Sequence, residues 1–203
     1  MTNMNSDHGR HVTRIADRET AAKLAEHRRR IADLRQEMRA LRASAEPEAV
    51  RDYAFATPQA PVRLSDLFGA KCDLIMIHNM GASCPNCTLW ADGYNGIYHH
   101  LIDRAAFVVS SPDPPDVQQA FARSRGWRFP MVSHMGTTFA ADMGYRSERG
   151  AWLPGISVFR MDGSRILRVS DTPCDIGDDF CAVWHLFDLI PESSTGWRPR
   201  ISY

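Results

Sequence analysis

Two cysteines separated by two residues are the part of this sequence best suited to chemistry. They are Cys84 and Cys87, in the segment Ser-Cys-Pro-Asn-Cys-Thr. Two thiols at this spacing can close a small disulfide ring, bind a soft metal or attack another protein's disulfide. A β-prone apolar run, residues 72–78, precedes them, and residues 88–101 carry apolar side chains at helical spacing. A strand, a Cys-x-x-Cys and a helix in this order are typical of a redox dithiol.

The expected start of a helix at this point gives the two thiols different roles. Cys84 would lie at the first turn, where unpaired N–H groups and the positive end of the helix dipole stabilise an anion. A thiolate there can have its pKa lowered from about 8.5 to roughly 3.5–7.5. Pro85 suits the first helical position, because its missing N–H costs no hydrogen bond there. Cys87, one turn further on, could attack a mixed disulfide made by Cys84 and release the product.

A metal site and an inert pair are the alternatives for these two thiols. Structural zinc normally has four ligands, usually from two such pairs, and the chain has one Cys-x-x-Cys. His78 could add a third ligand for copper or zinc, or it could transfer protons for the second cysteine. It could also be an ordinary histidine at a strand end. The redox interpretation is favoured, with no cofactor and no metal expected, and a copper- or zinc-binding protein using Cys84, Cys87 and His78 is the alternative.

Composition and charge exclude several classes of function. The formal net charge of the 203 residues is +0, so the overall field favours neither nucleic acid nor an anionic membrane as a partner. No apolar run approaches the roughly 18 residues of a membrane span. Residues 1–14 are polar and lack the apolar core of a signal peptide. Five cysteines, an odd number, do not make a disulfide framework, and a reducing cytoplasm is the expected location.

The chain divides into an N-terminal extension, residues 1–50, and a domain over residues 51–203. Residues 15–45 lack Gly and Pro and are dense in Ala, Arg, Glu and Leu, which predicts one long helix. Its narrow apolar seam consists of Leu24, Ile31, Leu34, Met38 and Leu41. The seam is shorter than a typical coiled coil. A helix lying across its own domain is therefore favoured over the alternative, an arm that forms a homodimer.

Beyond residue 52, short strand-like runs alternate with helical ones. Strands are expected near residues 53–55, 74–77, 106–110, 129–132, 156–159 and 165–169. Helices are expected near residues 62–68, 88–101, 117–125, 139–143 and 178–189. The sequence Met-Asp-Gly-Ser at 161–164 marks a hairpin between the last two strands. This order predicts an α/β fold with a central mixed β-sheet flanked by helices.

These segments resemble the thioredoxin superfamily, and most closely its peroxiredoxin-like branch. Residues 129–133, Phe-Pro-Met-Val-Ser, are similar to a segment of that branch, and residues 152–159 resemble the segment in which thioredoxins place a cis-proline. The resemblance implies that Pro154 is a cis-proline that faces the dithiol and holds a backbone edge open for an extended substrate. The alternative is an ordinary proline at a strand start. The Thr-x-x-Cys motif of peroxiredoxins is Gly-Ala-Ser-Cys here, which makes peroxidase activity a weaker expectation.

The cysteine block also resembles a narrower family. Residues 84–93, Cys-Pro-Asn-Cys-Thr-Leu-Trp-Ala-Asp-Gly, are similar to a Cys-Pro-Ser-Cys-Ser-Phe-Trp-Ala-Asp block in the bacterial domain of unknown function 899. Members of that family are described as predicted dithiol–disulfide oxidoreductases, and residues 126–130 and 186–191 also look like it. The resemblance implies a protein or small-molecule disulfide as substrate, and a reductant as a second partner. Trp90 is expected to pack the helix onto the sheet, with one edge available to the substrate.

The other three cysteines have weaker claims to a function. Cys174 and Cys181 lie seven residues apart near the closing helix and could form a second redox relay. Buried inert thiols are the favoured interpretation of this pair, because free cysteine packs as a small apolar residue. Cys72, at the start of the expected strand, is predicted to be structural.

Overall fold

The computed structural model describes residues 17–203, so the prediction about residues 1–14 lies outside the described part. Two compact units are present, the first ending at Ala45 and the second running from Glu46 to Tyr203. The first unit contains helix α1 (Arg18–Ser44), which confirms the predicted long helix. Asp17 caps it by accepting the N–H of Glu19 at 3.0 Å. No residue of α1 is buried, and how it is used stays a prediction.

The strands of the second unit form one large sheet and one small hairpin. In chain order they are β1 (Glu48–Val50), β2 (Ala54–Phe55), β3 (Val62–Arg63), β4 (Asp73–His78), β5 (Ala106–Ser111), β6 (Met131–Ser133), β7 (Gly155–Asp162) and β8 (Arg165–Pro173). Six strands make a sheet in the order β1-β8-β7-β4-β5-β6, while β2 pairs with β3. β4, β5 and β6 are parallel, whereas β7, β8 and β1 are antiparallel. The predicted mixed sheet is confirmed.

Helices of different length connect the strands. They are a 3₁₀ turn (Ser65–Phe68), α2 (Pro85–Arg104), α3 (Pro115–Arg125), α4 (Phe139–Asp142) and α5 (Ala182–Phe187). α5 is shorter than the predicted helix over residues 178–189. The reason is local, because the carboxylate of Asp178 accepts the N–H groups of Asp175 and Phe180 and holds this stretch as a turn. Among residues 17–203, no helix combines the length and the apolar character needed to span a membrane.

The sequence predicted neither β3, whose residues fall in the expected turn and short helix over 62–68, nor strand β1. Its three residues pair with β8, so the sheet begins before the expected domain start at Arg51. Two of the three residues are exposed, so the segment lacks the alternating apolar pattern that predicts a strand. Pairing with a long neighbouring strand, rather than its own composition, makes this segment a strand.

The large sheet has two apolar faces, and alternate residues of each strand serve opposite faces. On the α2 face, Ile77 and Val109 pack with Trp90 and Tyr94 of α2. On the α4 face, Met76 packs with Phe139 of α4 and with Tyr145, among other residues. The functional residues predicted from the sequence fall on both faces, and the face that each one occupies decides what it can do.

Candidate active site

Cys84 is the N-cap residue of α2 and accepts hydrogen bonds at the helix start. Its Sγ lies 3.1 Å from the backbone N of Cys87, which donates to it, and Pro85 is the first helical residue, as the sequence predicts. The pKa of Cys84 is lowered to about 7, first by the thiol of Cys87 and then, against burial, by the backbone N–H groups of Cys87 and Asn86. The unpaired donors of a helix N-terminus therefore stabilise a thiolate at this position.

Cys87 has the opposite character. Its side chain is 3% exposed, and the N–H of Met80 points to its Sγ at 3.5 Å. The neighbouring thiolate of Cys84 and burial both raise the pKa of Cys87 far above its ordinary value. The pair is therefore asymmetric, with a half-buried thiol that ionises readily and a buried thiol that retains its proton.

The loop that leads into Cys84 is held by a residue that the sequence did not single out. The carboxylate of Asp113 accepts the N–H of Ala82 at 2.7 Å, and the N–H of Cys84 donates to the carbonyl of Gly81 at 3.1 Å. Gly81 has φ of +109°, and an added Cβ would lie 2.9 Å from Asp113 Oδ1. Asp113 comes from the loop after β5, far along the chain, and the glycine was the one local signal of this close approach.

A small cavity of about 10 Å³ lies next to Cys87, close to the smallest volume that holds one water molecule. It is lined by residues from four parts of the chain: Ile77, His78, Asn79, Cys87, Trp90, Tyr94, Pro154 and Cys174. The structure therefore brings Pro154, His78 and Trp90 to the same place as Cys87. It also adds Cys174 and Tyr94, which the sequence had not connected with the dithiol.

The expectation of a cis peptide bond at Pro154 is wrong. No peptide bond among residues 17–203 is cis. The carbonyl of Pro154 accepts the N–H of Cys174 at 3.1 Å, and the N–H of Leu153 donates to the carbonyl of Tyr145 at 3.0 Å. These bonds tie the segment into the end of the β7–β8 ladder, so the Pro154 carbonyl is not a free edge for an extended substrate.

His78 is a buried core residue whose ring packs among aromatic side chains. It stacks on Tyr145 with ring centroids 3.8 Å apart and on Phe139 at 5.5 Å. Its Nε2 is hydrogen-bonded to Ser157 Oγ at 2.9 Å. Burial lowers the pKa of His78 well below its ordinary value, so the ring is neutral at pH 7.

The structure does not support His78 as a third metal ligand. Residues 17–203 contain no group of three His, Cys, Asp or Glu side chains arranged to hold a metal ion. His78 lines the cavity beside Cys87, but its ring stacks on Tyr145 and Phe139 and its Nε2 is hydrogen-bonded to Ser157. The described residues therefore give no support to the suggestion that Cys84, Cys87 and His78 form a copper or zinc site.

Trp90 fixes the start of α2 to a loop from the C-terminal part of the chain. It is buried with Ile77, as the sequence predicts, and its Nε1 donates to Asp178 Oδ1 at 3.2 Å.

The loop that contains Asp178 carries two more thiols, Cys174 and Cys181, which are both buried. Burial raises the pKa of Cys174 to about 12, with a further contribution from the charge of Asp178. Cys72, in contrast, is exposed.

An open groove of about 420 Å³ begins beside the Cys84 turn. Pro85 and Asn86 line it on the side of α2, and its other lining residues come from the loop before α5, from α5 and from the C-terminal segment: Ile176, Trp184, Ser194, Gly196, Trp197, Arg198 and Pro199. Its size lies within the range of small-ligand pockets. The aromatic rings and the Arg198 guanidinium give it both apolar and cationic surface.

The fold is of the thioredoxin-like kind found in peroxiredoxins. Similar solved structures include peroxidoxin BcpB from Mycobacterium tuberculosis, with 25% identity, a TM-score of 0.54 and coverage of 67% of this chain and 88% of that one. A cysteine-to-serine mutant of Xanthomonas campestris peroxiredoxin Q has 16% identity and a TM-score of 0.56, with 72% and 97% coverage. The predicted thioredoxin-like, peroxiredoxin-like fold is confirmed.

The chain belongs to the family described as "Bacterial protein of unknown function (DUF899)". The family model matches residues 10–197, which includes the whole cysteine block and most of the domain. The family resemblance seen in the sequence is thus confirmed. A comparison with curated proteins found no match.

Proposed function

We propose that this protein is a thiol–disulfide oxidoreductase in which Cys84 is the nucleophile and Cys87 the resolving thiol. The observation that carries the proposal is the asymmetry of the pair at the start of α2. The pKa of Cys84 is lowered to about 7, so a large fraction is thiolate at neutral pH. Cys87 is buried and its pKa is strongly raised. Attack from one thiol and resolution by its neighbour require this division of roles.

The reaction begins when the Cys84 thiolate attacks one sulfur of a substrate disulfide. A Cys84–substrate disulfide forms, the substrate's S–S bond breaks, and the other sulfur leaves as a thiolate that takes up a proton. The negative charge on Cys84 is then gone. Because that charge was a cause of the raised pKa of Cys87, the Cys87 thiol now ionises more easily.

Resolution follows within the protein. Cys87 loses its proton and attacks Cys84 Sγ, the Cys84–Cys87 disulfide forms, and the second substrate sulfur leaves as a thiol. The substrate has gained two electrons and the dithiol has lost two. An external thiol reductant must return the pair to its starting state, and a reducing cytoplasm would supply one.

Peroxide reduction is the second function to consider, because the similar solved structures are peroxiredoxins. In that reaction the Cys84 thiolate would attack a peroxide oxygen, become a sulfenic acid and condense with Cys87 to the same disulfide. The groups that lower the pKa of Cys84 are the Cys87 thiol and backbone N–H groups, with no arginine among them. This donor set supports disulfide exchange more directly than peroxide activation.

The first experiment is a glutathione redox series, with thiols trapped by acid and alkylation and located by peptide mass spectrometry. We expect a reversible Cys84–Cys87 disulfide, with Cys84 the most rapidly alkylated cysteine at pH 6. Cys72→Ser is the matched control, because Cys72 is exposed and lies outside the cavity. A pair that never oxidises would refute the proposal, and oxidation by hydrogen peroxide far faster than by glutathione disulfide would favour the peroxidase.

A further inference from the structure

Cys174 and Cys181 lie beside the proposed active site and the mechanism above does not use them. Cys174 and Cys87 line the same small cavity. Cys174 and Cys181 belong with Trp90 and Tyr94 to one buried cluster on the α2 face. Tertiary structure thus brings four of the chain's five cysteines to one side of the sheet.

The loop that carries the two thiols is held against the active-site helix. The carboxylate of Asp178 accepts the indole N–H of Trp90 and, within the loop, the N–H groups of Asp175 and Phe180. At its other end, the N–H of Cys174 donates to the carbonyl of Pro154, which also lines the cavity. Both attachments keep Cys174 next to Cys87.

A buried hydroxyl at the same cavity is suited to stabilise charge on Cys174. Tyr94 is 6% exposed, and its hydroxyl has no hydrogen-bond partner among residues 17–203. A buried donor without a partner is unfavourable. Burial raises the pKa of Cys174 to about 12, and the Tyr94 hydroxyl opposes that shift, so this hydroxyl is placed to donate to Cys174 when the thiol loses its proton.

We propose that Cys174 and Cys181 form a second redox pair, which takes over the disulfide formed at Cys84 and Cys87. This inference rests on the proposed function, because the first disulfide is the oxidant. The Cys174 thiolate attacks Cys87 Sγ, the Cys84–Cys87 bond breaks, and Cys84 leaves as a thiolate. The Cys181 thiolate then attacks Cys174 Sγ and releases Cys87, which takes up a proton. Two electrons pass from the second pair to the first.

The direction of transfer follows from the environments of the thiols. A pair whose reduced form is stabilised as a thiolate is the stronger oxidant, and Cys84 is stabilised in this way. Cys174 and Cys181 are buried beside Asp178, which disfavours their thiolates and favours the disulfide. The transfer moves the disulfide into a loop whose Ile176 and Phe180 are exposed. Cys84 and Cys87 are then thiols again and ready for a new substrate.

The tryptic peptides of this chain make the test direct. Cys84 and Cys87 lie, together with Cys72, in the peptide 72–104, so fragmentation of that peptide must locate its disulfide. Cys174 and Cys181 both lie in the peptide 169–200, because Pro199 blocks cleavage after Arg198. The reduced full-length protein is mixed with glutathione disulfide, sampled over time, quenched in acid, alkylated and digested. We expect the disulfide within 72–104 first, and later a disulfide within 169–200 while 72–104 returns to thiols.

Two variants separate a relay from independent oxidation. In Cys181→Ser the second step is blocked, so a cross-link between peptides 72–104 and 169–200 is expected to accumulate. In Cys87→Ser the disulfide within 169–200 should form roughly tenfold more slowly or not at all, since its direct oxidant is missing. Cys72→Ser, with an exposed thiol outside the cavity, should leave both steps unchanged.

Each outcome decides a different claim. If the disulfide within 72–104 forms reversibly while both thiols of 169–200 stay reduced, and Cys181→Ser yields no cross-link, the relay is refuted and the proposed function stands. If Cys87→Ser oxidises its 169–200 peptide as fast as the wild type, the pair is independent and the relay is again refuted. If the disulfide within 72–104 never forms, the proposed function fails and the relay fails with it.

Discussion

The two faces of the central sheet both bury ionisable side chains, but they treat them in opposite ways. On the α2 face the cysteine at the helix start is poised to ionise near neutral pH, because a thiol and backbone N–H groups donate to it. On the α4 face His78 and His134 are 2% exposed, and their hydrogen-bond partners among residues 17–203 are the uncharged hydroxyls of Ser157 and Ser110. Burial alone therefore keeps an ionisable side chain neutral. A partly buried side chain ionises and becomes reactive only where hydrogen-bond donors stabilise its charged form.

His78 and His134 are titratable side chains that serve as packed, uncharged rings in the apolar core of the α4 face. His78 hydrogen-bonds Ser157, and His134 Nδ1 lies 2.7 Å from Ser110 Oγ. Burial lowers the pKa of His134 to about 4, helped by the charge of Arg146. Both rings then pack against Phe139 as aromatic side chains. The α4 face thus uses imidazole as a neutral, hydrogen-bonded ring, and the α2 face uses thiol as a nucleophile.

The largest expected effect is at the thiols of the α2 face. Cys84→Ser should lower the rate of disulfide reduction by roughly 10³-fold or more, because an alcohol at that position is not ionised at neutral pH. Cys87→Ser should still attack one substrate disulfide through Cys84 and then stop as a Cys84–substrate mixed disulfide, visible by intact mass. Turnover of Cys84→Ser at the wild-type rate would place the nucleophile elsewhere. Cys72→Ser is the control that should retain full activity.

Acidification should destabilise the protein through the α4 face. The pKa of His134 is lowered to about 4 in the folded state, against about 6.5 in the unfolded chain. Below pH 6.5 the unfolded state therefore binds more protons, and stability falls as the pH decreases towards 4. The shift is worth about 3 kcal/mol for His134, and the lowered pKa of His78 acts in the same direction.

Urea unfolding at pH 7.5 and pH 4.5 measures this loss. His134→Gln should lose less stability than the wild type over the same interval, since glutamine does not titrate. An equal loss in both proteins would show that the carboxylates, and not this histidine, control acid unfolding. The lowered pKa of Asp73, caused first by Arg160, makes that ion pair one such contribution.

A tenfold effect is expected when one donor to Cys84 is removed. The alkylation rate of Cys84 should be half-maximal near pH 7, and Cys87→Ala should move this midpoint upward by about one pH unit, a tenfold change in thiolate fraction below it. The physical reason is that the Cys87 thiol is the first cause of the lowered pKa. His78→Gln should not move the midpoint. A clear shift in that variant would mean that the two faces are electrostatically coupled.

The smallest effects compare two glycines near the active site. Gly81→Ala should destabilise the protein by about 1–2 kcal/mol, because a side chain is strained at φ of +109° and approaches Asp113. Gly93→Ala, inside α2 with open space around the new Cβ, should stabilise it by roughly 0.5–1 kcal/mol. Thermal unfolding of both variants at pH 7.5 tests the pair, and a stabilising Gly81→Ala would contradict the tight loop.

Most of the fold could be predicted because most of its strands and helices have a recognisable local sequence pattern. The apolar runs of β4 and β5, the helical spacing of α2, and the Asp-Gly turn between β7 and β8 all appeared at nearly their observed positions. The elements that the sequence missed have two causes, one distant in sequence and one local. β1 exists because β8 pairs with it, and the closing helix is short because Asp178 organises the preceding loop.

The same distinction divides the site. The sequence by itself determined the Cys84–Cys87 pair, since a Cys-x-x-Cys at a strand-to-helix junction fixes the N-cap geometry within a single turn. Tertiary structure decided the rest. The alternation of side chains along β4 directs the His78 ring to the aromatic residues of the α4 face. Backbone hydrogen bonds hold Pro154 at the end of the β7–β8 ladder, and the fold places Cys174 at the cavity beside Cys87. Local spacing sets which atoms a helix end presents, whereas sheet order and strand register decide which distant residues meet them.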